Sequence, residues 1–250
     1  MRRAREPVEA AHLAQDELAR LDQQEIDSIC EAMVRAVLRE ARNLGTLEVE
    51  ETGYGFLADR EEKNRLTAGV VWRRFRDLRT VGVISESEDF LEIAAPRGVV
   101  AGLVSPSSPT STAIFMTLIS IKSRNALVLS PHHSVARCTS ETVRVLRDAA
   151  VQEGLPAEAI GCMTHVTGED TEALMKHERT AMILATEDDG LVRLIFSSGE
   201  PVFGFGTGIV SIYDVSPLDL MDTERVAFKP LPAAEGMRPS VAMWELQTAA

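Results

Sequence analysis

The hydrophobic positions of the N-terminal region follow helical spacing. Between residues 7 and 43 apolar side chains recur every three or four positions, which predicts amphipathic helices. Asp22, followed three residues later by Glu25, is typical of a capping box that begins a helix, and Gly45 is the expected stop. A further short helix should end at the TGYG turn, and residues 57–78 predict a long surface helix, charged on one side and apolar on the other.

From residue 80 onward the periodicity changes. Two β-branched runs, residues 80–87 and 90–100, predict a hairpin or two edge strands. After them, short apolar runs alternate with amphipathic segments. The predicted strands are residues 99–105, 126–130, 160–166, 181–186 and 201–206, and the predicted helices are residues 110–122, 134–153, 170–177 and 190–198. Five such strands separated by helices predict an α/β fold, a doubly wound parallel sheet with right-handed crossovers and helices on both faces.

This pattern divides the chain into three parts. Residues 1–95 should form N-terminal helices and an edge hairpin, and residues 96–215 an α/β domain of the nucleotide-binding kind. Residues 216–250 contain four prolines and no sustained periodicity, so we expect an irregular tail that is poorly ordered or draped over the core.

The charge and hydropathy of the chain argue against two classes of binding partner, nucleic acids and membranes. The formal net charge of −12 would repel a phosphate backbone, so we expect no nucleic-acid partner. Apolar stretches such as residues 98–104 fall far short of the roughly 20 residues that a membrane span needs, so we expect no membrane partner. Three scattered cysteines are too few for a disulfide framework, which is typical of a cytoplasmic protein.

Five short motifs occur in an order that is informative. They are EETGYG with KN (residues 50–64), GVISE (82–86), PTSTAIF (109–115), RNAL with SPH (124–132) and SSGEPVFGFGTG (197–208). With these motifs the chain resembles the CoA-acylating aldehyde dehydrogenases, especially the aldehyde half of bifunctional aldehyde-alcohol dehydrogenases, from about Val8 to about Val215. The resemblance implies a Rossmann-like cofactor domain preceded by N-terminal helices. In that family a cysteine attacks the aldehyde, the thiohemiacetal gives hydride to NAD, and the thioester passes to CoA.

The resemblance also implies cofactor-binding residues. The turn after the first α/β strand would line the nicotinamide side, the turn after the second strand the adenosine side, and two glycines of the last strand would face the nicotinamide ring. The positions are Ser105, Pro106, Ser107, Ser108 and Pro109 for the first turn, Ser130, Pro131 and His132 for the second, Thr186 for the phosphate-side turn, and Gly204 and Gly206 for the ring. Alternatively, His132 and His133 are a solvent-facing turn pair.

Four residues at three sites depart from the family pattern. Ser108 stands where the family has an asparagine that donates to the developing oxyanion, but the favoured interpretation is a turn serine that caps the helix beginning near Thr110. Glu187 and Asp188 replace the glycines of the phosphate-side turn, where carboxylates would satisfy the helix start and repel a dinucleotide. Ile209 replaces a further asparagine. We therefore expect NAD binding to be weak or lost, with CoA remaining only as the family's co-substrate.

The family's nucleophile is not found either. It lies downstream of the cofactor domain, and this sequence has no cysteine after Cys162, so a catalytic second domain is expected to be absent and no catalytic residue is assigned. Cys30 and Cys162 fall on apolar patterns that favour packing. Cys138, close to His132, could have a lowered pKa and act as a substitute nucleophile, but packing is the favoured interpretation. His165 and His177 have no carboxylate or thiol at ligand spacing, so no metal site is predicted.

Three hypotheses follow. The chain is a cofactor-binding module that is inactive alone, or a non-catalytic partner or regulatory subunit of a full-length homologue, or an enzyme that uses Cys138. The second hypothesis includes association with further copies of the chain, a possible homo-oligomer. The KNRL segment (residues 63–66) and the arginines at 73, 74 and 76 could contact a CoA phosphate, but a solvated helix face explains them as well.

Overall fold

The N-terminal region is helical, as its periodicity predicts. The computed structural model describes residues 2–185 and 202–204. Helix α1 spans Arg2–Leu18 and α2 spans Gln23–Thr52. The predicted capping box is confirmed: the Asp22 carboxylate accepts from the Glu25 N–H at 2.9 Å, and the Glu25 carboxylate accepts from the Asp22 N–H at 2.7 Å.

The prediction that the second helix stops at Gly45 is wrong. Helix α2 runs through Gly45 to Thr52 and ends at Gly53, whose φ of 72° is the left-handed conformation that glycine tolerates. A Cβ at position 45 would lie 3.0 Å from the Glu61 backbone nitrogen. Gly45 is therefore used for close approach of two helices, and the separate short helix expected before Gly53 is the continuation of α2.

The long helix predicted over residues 57–78 is interrupted. Helix α3 covers Leu57–Leu66, a π-helical turn covers Thr67–Val71, and α4 covers Trp72–Phe75. Ala68 and Trp72 are buried, so this segment contributes to the core as well as to the surface. A π turn holds one residue more per turn than an α-helix, which rotates the face that points inward.

The two β-branched runs form a hairpin, which confirms one of the two predicted alternatives. Strands β1 (Gly82–Glu86) and β2 (Leu91–Ala94) pair antiparallel as a separate two-stranded sheet. Most of the hairpin is exposed to solvent. The exposed apolar side chains are Val83, Ile84, Phe90, Leu91 and Ile93.

The remaining described strands form one parallel sheet, as predicted. Their bounds are β3 Val99–Val104, β4 Leu127–Pro131, β5 Ile160–Cys162, β6 Thr180–Ala185 and β7 Val202–Gly204. The spatial order is β5-β4-β3-β6-β7, with every pair parallel. Strands β3 and β4 are buried along their whole length, as central strands of a covered parallel sheet must be.

Helices cover the sheet on both faces. Helices α5 (Pro109–Lys122) and α6 (Ala136–Gln152) pack on each other and on α2, whereas α1 packs on α7 (Gly168–Met175) and on β3, β4 and β5. The chain builds outward from β3 to β5 on one side and continues with β6 and β7 on the other. The strand order therefore reverses between β3 and β6, which is the doubly wound topology.

Candidate functional site

The candidate site lies where the strand order of the sheet reverses, between β3 and β6. In an open α/β sheet the carboxyl ends of the two strands at such a point diverge and leave a crevice that binds ligands. Residues 105–109 follow β3 directly and lead into α5, with Ser105 and Ser108 buried and Pro106 partly buried. Position 186, at the end of β6, lies outside the described residues. The fold thus brings the predicted nicotinamide-side residues to the edge where a dinucleotide would bind.

The loop after β3 is held by the segment that joins α2 to α3. The Tyr54 hydroxyl donates to the carbonyl oxygen of Pro106. Arg60 Nη1 donates to the carbonyl oxygen of Ser107 at 2.9 Å, and the Arg60 guanidinium lies 5.2 Å from the centre of the Tyr54 ring. Within the loop, the hydroxyl oxygens of Ser105 and Ser107 are 2.9 Å apart. Tyr54 of the EETGYG segment and Arg60 of α3 therefore hold this loop, a role that the sequence did not indicate.

Ser108 occupies the N-cap position of α5, but its side chain does not cap the helix. The hydroxyl makes no hydrogen bond to a backbone N–H of the first turn, so the predicted capping role is wrong. Instead the hydroxyl donates to the Ser107 carbonyl at 2.8 Å and accepts from Lys63 Nζ at 2.5 Å. Its single hydrogen is already used within the loop.

A buried polar cluster lies beneath this loop and includes Glu48, Arg60, Asn64 and Thr110. The Thr110 hydroxyl contacts the Glu48 carboxylate and Asn64 Oδ1, the latter at 2.8 Å. Arg60 Nη1 is 2.9 Å from Glu48 Oε1 without hydrogen-bond alignment, so that contact is electrostatic. Sequence reasoning missed Glu48 and Arg60, since each lies about 45 to 60 positions from the loop that it supports.

Lys63 lies exposed on α3, as a solvated helix face requires, and its amine also reaches this loop, where it contacts Ser108. Partial burial lowers the pKa of the Lys63 amine, and the nearby Arg60 guanidinium lowers it further, while Glu48 acts in the opposite direction. Arg73 and Arg74 are exposed on α4, as a solvated helix face requires.

The predicted adenosine-side residues lie at the carboxyl end of β4 and directly after it. Ser130 is buried, with its hydroxyl 3.0 Å from that of Thr171, and Pro131 ends the strand. His132 is exposed, and its Nδ1 lies 2.8 Å from the Ser134 hydroxyl oxygen. The ring centres of His132 and His133 are 4.0 Å apart. Partial desolvation and then His133 lower the pKa of His132. The pair is solvent-facing, and its contact with a cofactor stays a prediction.

Cys30 and Cys138 are buried in the core, and Cys162 is partly buried against it. Burial, together with the Glu51 carboxylate, raises the pKa of Cys138, so the expectation that its pKa could be lowered is wrong. The Cys138 thiol contacts the Val135 carbonyl oxygen at 3.5 Å inside the core. Burial also raises the pKa of Cys30, and it raises the pKa of Cys162 to about 11. The favoured packing interpretation is confirmed for all three thiols.

Several predictions lie outside the described residues. They concern Thr186, the acidic residues Glu187 and Asp188, the helix over residues 190–198, Gly206, Ile209 and the tail at 216–250. Gly204 ends β7, where it pairs with Ala185 of β6, and its contact with a nicotinamide ring stays a prediction. Residues 2–185 and 202–204 contain no group of His, Cys, Asp and Glu that could hold a metal ion. Over the same residues no helix has both the length and the apolar character to cross a bilayer.

The parallel sheet, its reversed strand order and its helices on both faces define a Rossmann-like α/β fold. Residues 2–200 match the sequence profile described as the aldehyde dehydrogenase family, and the chain belongs to that family. It is homologous to the acetylating aldehyde dehydrogenases, which confirms the resemblance.

Specific relatives show how much of the family the chain covers. It is 36% identical over 203 residues to the bifunctional aldehyde-alcohol dehydrogenase AdhE of Escherichia coli K12, covering 80% of this chain and 23% of that protein. It is 30% identical over 206 residues to the acetylating succinate-semialdehyde dehydrogenase of Clostridium kluyveri, covering 82% and 45%. The crystal structure of an acetylating aldehyde dehydrogenase from Geobacillus thermoglucosidasius superposes with a TM-score of 0.81 at 44% identity, covering 84% and 47%. The chain thus spans 23% to 47% of the length of these relatives.

Proposed function

We propose that these 250 residues form the cofactor-binding module of a CoA-acylating aldehyde dehydrogenase, which binds NAD weakly and does not oxidise an aldehyde by itself. The observation that carries this proposal is the state of the cysteines. Family chemistry begins with a thiolate that attacks the aldehyde carbon, and a thiolate must be reachable and partly ionised at neutral pH. Cys30 and Cys138 are buried and Cys162 is partly buried, and burial raises the pKa of all three thiols.

The hydrogen-bond donor expected to stabilise the oxyanion supports the same conclusion. An effective donor points at the position where negative charge develops. The Ser108 hydroxyl instead directs its hydrogen to the Ser107 carbonyl, 2.8 Å away. Removal of one oxyanion donor typically costs on the order of 10²-fold in turnover or more. Even a thiolate supplied from elsewhere would therefore work against a weakened site.

The first test is calorimetric titration of the full chain with NAD. We expect binding no tighter than the millimolar range, because Glu187 and Asp188 stand where the family has glycines. Each close carboxylate repels a phosphate charge by about 1 kcal/mol in water and about 4 kcal/mol at a surface-like dielectric. The variant Glu187→Gly with Asp188→Gly should bind NAD more tightly, and Glu178→Gln, a carboxylate before β6, should leave affinity unchanged. A micromolar dissociation constant for the wild-type chain would contradict the acidic-turn argument.

The catalytic half of the proposal is tested by supplying aldehyde, CoA and NAD and recording NADH by its absorbance. No NADH should form with the chain alone. NADH formation at a rate typical of the family would refute the proposal, and its loss in Cys138→Ala would identify the nucleophile.

A second candidate function is a non-catalytic partner of a full-length homologue. The observation that favours it is the hairpin, where five apolar side chains between Val83 and Ile93 are exposed together. Contiguous exposed apolar surface of this kind marks an interaction site or an aggregation hazard. The chain could use the hairpin to pair with another copy of itself or with a homologue.

Light scattering coupled to size exclusion tests this candidate. We expect a defined oligomer, or a defined complex with a full-length acetylating homologue, that is lost in Leu91→Lys with Ile93→Lys. These two side chains lie on one face of β2 and are already exposed, so the change should not unfold the chain. The matched control is Leu13→Lys, on an exposed position of α1, which should not alter the assembly. A monomer in the wild type, alone and with the homologue, would rule out the partner role.

A further inference from the structure

The Lys63 amine differs from the other lysine amines that the structure describes. The sequence has four lysines, at positions 63, 122, 176 and 229, and the last lies outside the described residues. Lys122 is buried, where it pairs with Asp27 and donates to the Arg76 carbonyl. Lys176 pairs with Glu172 at 2.5 Å. Within residues 2–185, no carboxylate lies at ion-pair distance from Lys63, and its hydrogen-bond partner is the Ser108 hydroxyl at 2.5 Å.

The surroundings of this amine disfavour its positive charge. Arg60 Nη1 lies 3.4 Å from the same Ser108 oxygen, so the two cationic groups share one acceptor. Ser108 immediately precedes α5, a helix of 14 residues whose N-terminal end carries a partial positive charge. The carboxylate nearest to them, Glu48, already contacts Arg60 and Thr110. The lowered pKa of Lys63 agrees with this geometry. A lysine beside a second cation is a recognised kind of activated amine nucleophile.

We propose that Lys63 is a covalent binding site for small aldehydes at the carboxyl edge of β3. The amine lone pair attacks the carbonyl carbon and forms a C–N bond, which gives a carbinolamine after proton transfer from nitrogen to oxygen. Loss of the hydroxyl group and of the remaining nitrogen proton as water then leaves the imine. No electron is gained or lost, so the step needs no NAD and no further reactant. Of the chain's own groups, the Ser108 hydroxyl is placed to hydrogen-bond the reacting nitrogen.

The proposed ligand of Lys63 is an aldehyde, the substrate class of the proposed function, and in this respect the inference rests on that function. Imine formation at Lys63 requires neither cofactor binding nor turnover. An experiment without NAD and CoA therefore tests Lys63 alone. If Lys63 shows no preferential reaction with aldehyde, the proposed cofactor-binding module is not contradicted. If the chain shows no NAD binding, the proposal for Lys63 is not contradicted.

The experiment is reductive trapping. The folded chain is incubated at pH 7 with acetaldehyde and sodium cyanoborohydride, and N-ethylation is followed at each lysine by mass spectrometry after digestion with a glutamate-specific protease. We expect Lys63 to be ethylated several-fold faster than Lys176, which caps the C-terminal end of α7, is likewise exposed and serves as the internal control. The ratio should fall as the pH is raised, because a lowered pKa favours the free amine of Lys63 most at low pH. Equal rates at pH 7, or faster reaction at Lys176, would overturn the proposal.

Two further comparisons show whether the tertiary structure causes the preference. In guanidinium chloride, where the chain is unfolded, the ratio of the two rates should be close to one. A preference that survives unfolding would come from the local sequence and would also overturn the proposal. In the folded chain, Arg60→Gln should reduce the ratio, whereas Arg65→Gln, an exposed arginine of the same helix paired with Glu61, should not. The wild-type comparison decides the proposal even if Arg60→Gln does not fold.

Discussion

We expect Glu48→Ala to lower the free energy of unfolding by about 3–5 kcal/mol, because removal of one partner leaves a buried charge without compensation. The Glu48 side chain is 2% exposed and that of Arg60 is 11% exposed, with Arg60 Nη1 2.9 Å from Glu48 Oε1. The substitution also removes the carboxylate that Thr110 contacts at the start of α5. Urea unfolding followed by far-UV circular dichroism measures the loss.

The control is Glu50→Ala, two positions along the same helix. Glu50 pairs with Arg137 at 3.1 Å, but both side chains are more than half exposed, so the loss should stay below about 1 kcal/mol. Both substitutions place alanine in α2, so helix propensity cancels between them. If the two variants were destabilised equally, the Glu48 cluster would not be supporting the loop after β3.

The second large effect is expected at Leu129→Ala, which should cost about 2–5 kcal/mol because a fully buried leucine leaves a cavity. Leu129 lies in β4 opposite Gly102 of β3. A Cβ at position 102 would stand 2.4 Å from Leu129 Cδ2 and 3.2 Å from Met116 Sδ. The leucine side chain thus fills the space that the glycine leaves free.

A double-mutant cycle checks this assignment. Gly102→Ala alone should cost about 1–3 kcal/mol through overpacking. Gly102→Ala with Leu129→Ala should cost less than the sum of the two single changes, because the new methyl group enters the space vacated by the leucine. Additive losses in urea unfolding would show that the two positions do not share that space.

Local signals predicted the elements of this fold well. The capping box at Asp22 and Glu25 needs only residues three positions apart, and the parallel strands are continuous apolar runs that any covered sheet requires. Gly45 was misread because a glycine that ends a helix and one that admits a neighbouring helix look alike in sequence. The distinction depends on Glu61, sixteen positions away.

The candidate site was predicted in part. The motif after β3 was correctly associated with a turn at the carboxyl edge of the sheet, and Ser108 stands at the start of α5. The partners of that serine were not predicted. Lys63 and Arg60 reach it across more than forty positions, and they leave the serine hydroxyl facing a carbonyl instead of the helix N–H groups.

The sequence by itself determined the order and kind of the elements, the parallel sheet and the family, because side-chain periodicity and short motifs act between neighbours along the chain. Only the tertiary structure decided that Cys138 is enclosed in the core, that the hairpin stands apart from the sheet, and that Glu48, Arg60 and Lys63 surround one loop. Burial and charge pairing arise from groups that are distant in sequence and adjacent in space, and those two effects control the ionisation of a thiol or an amine.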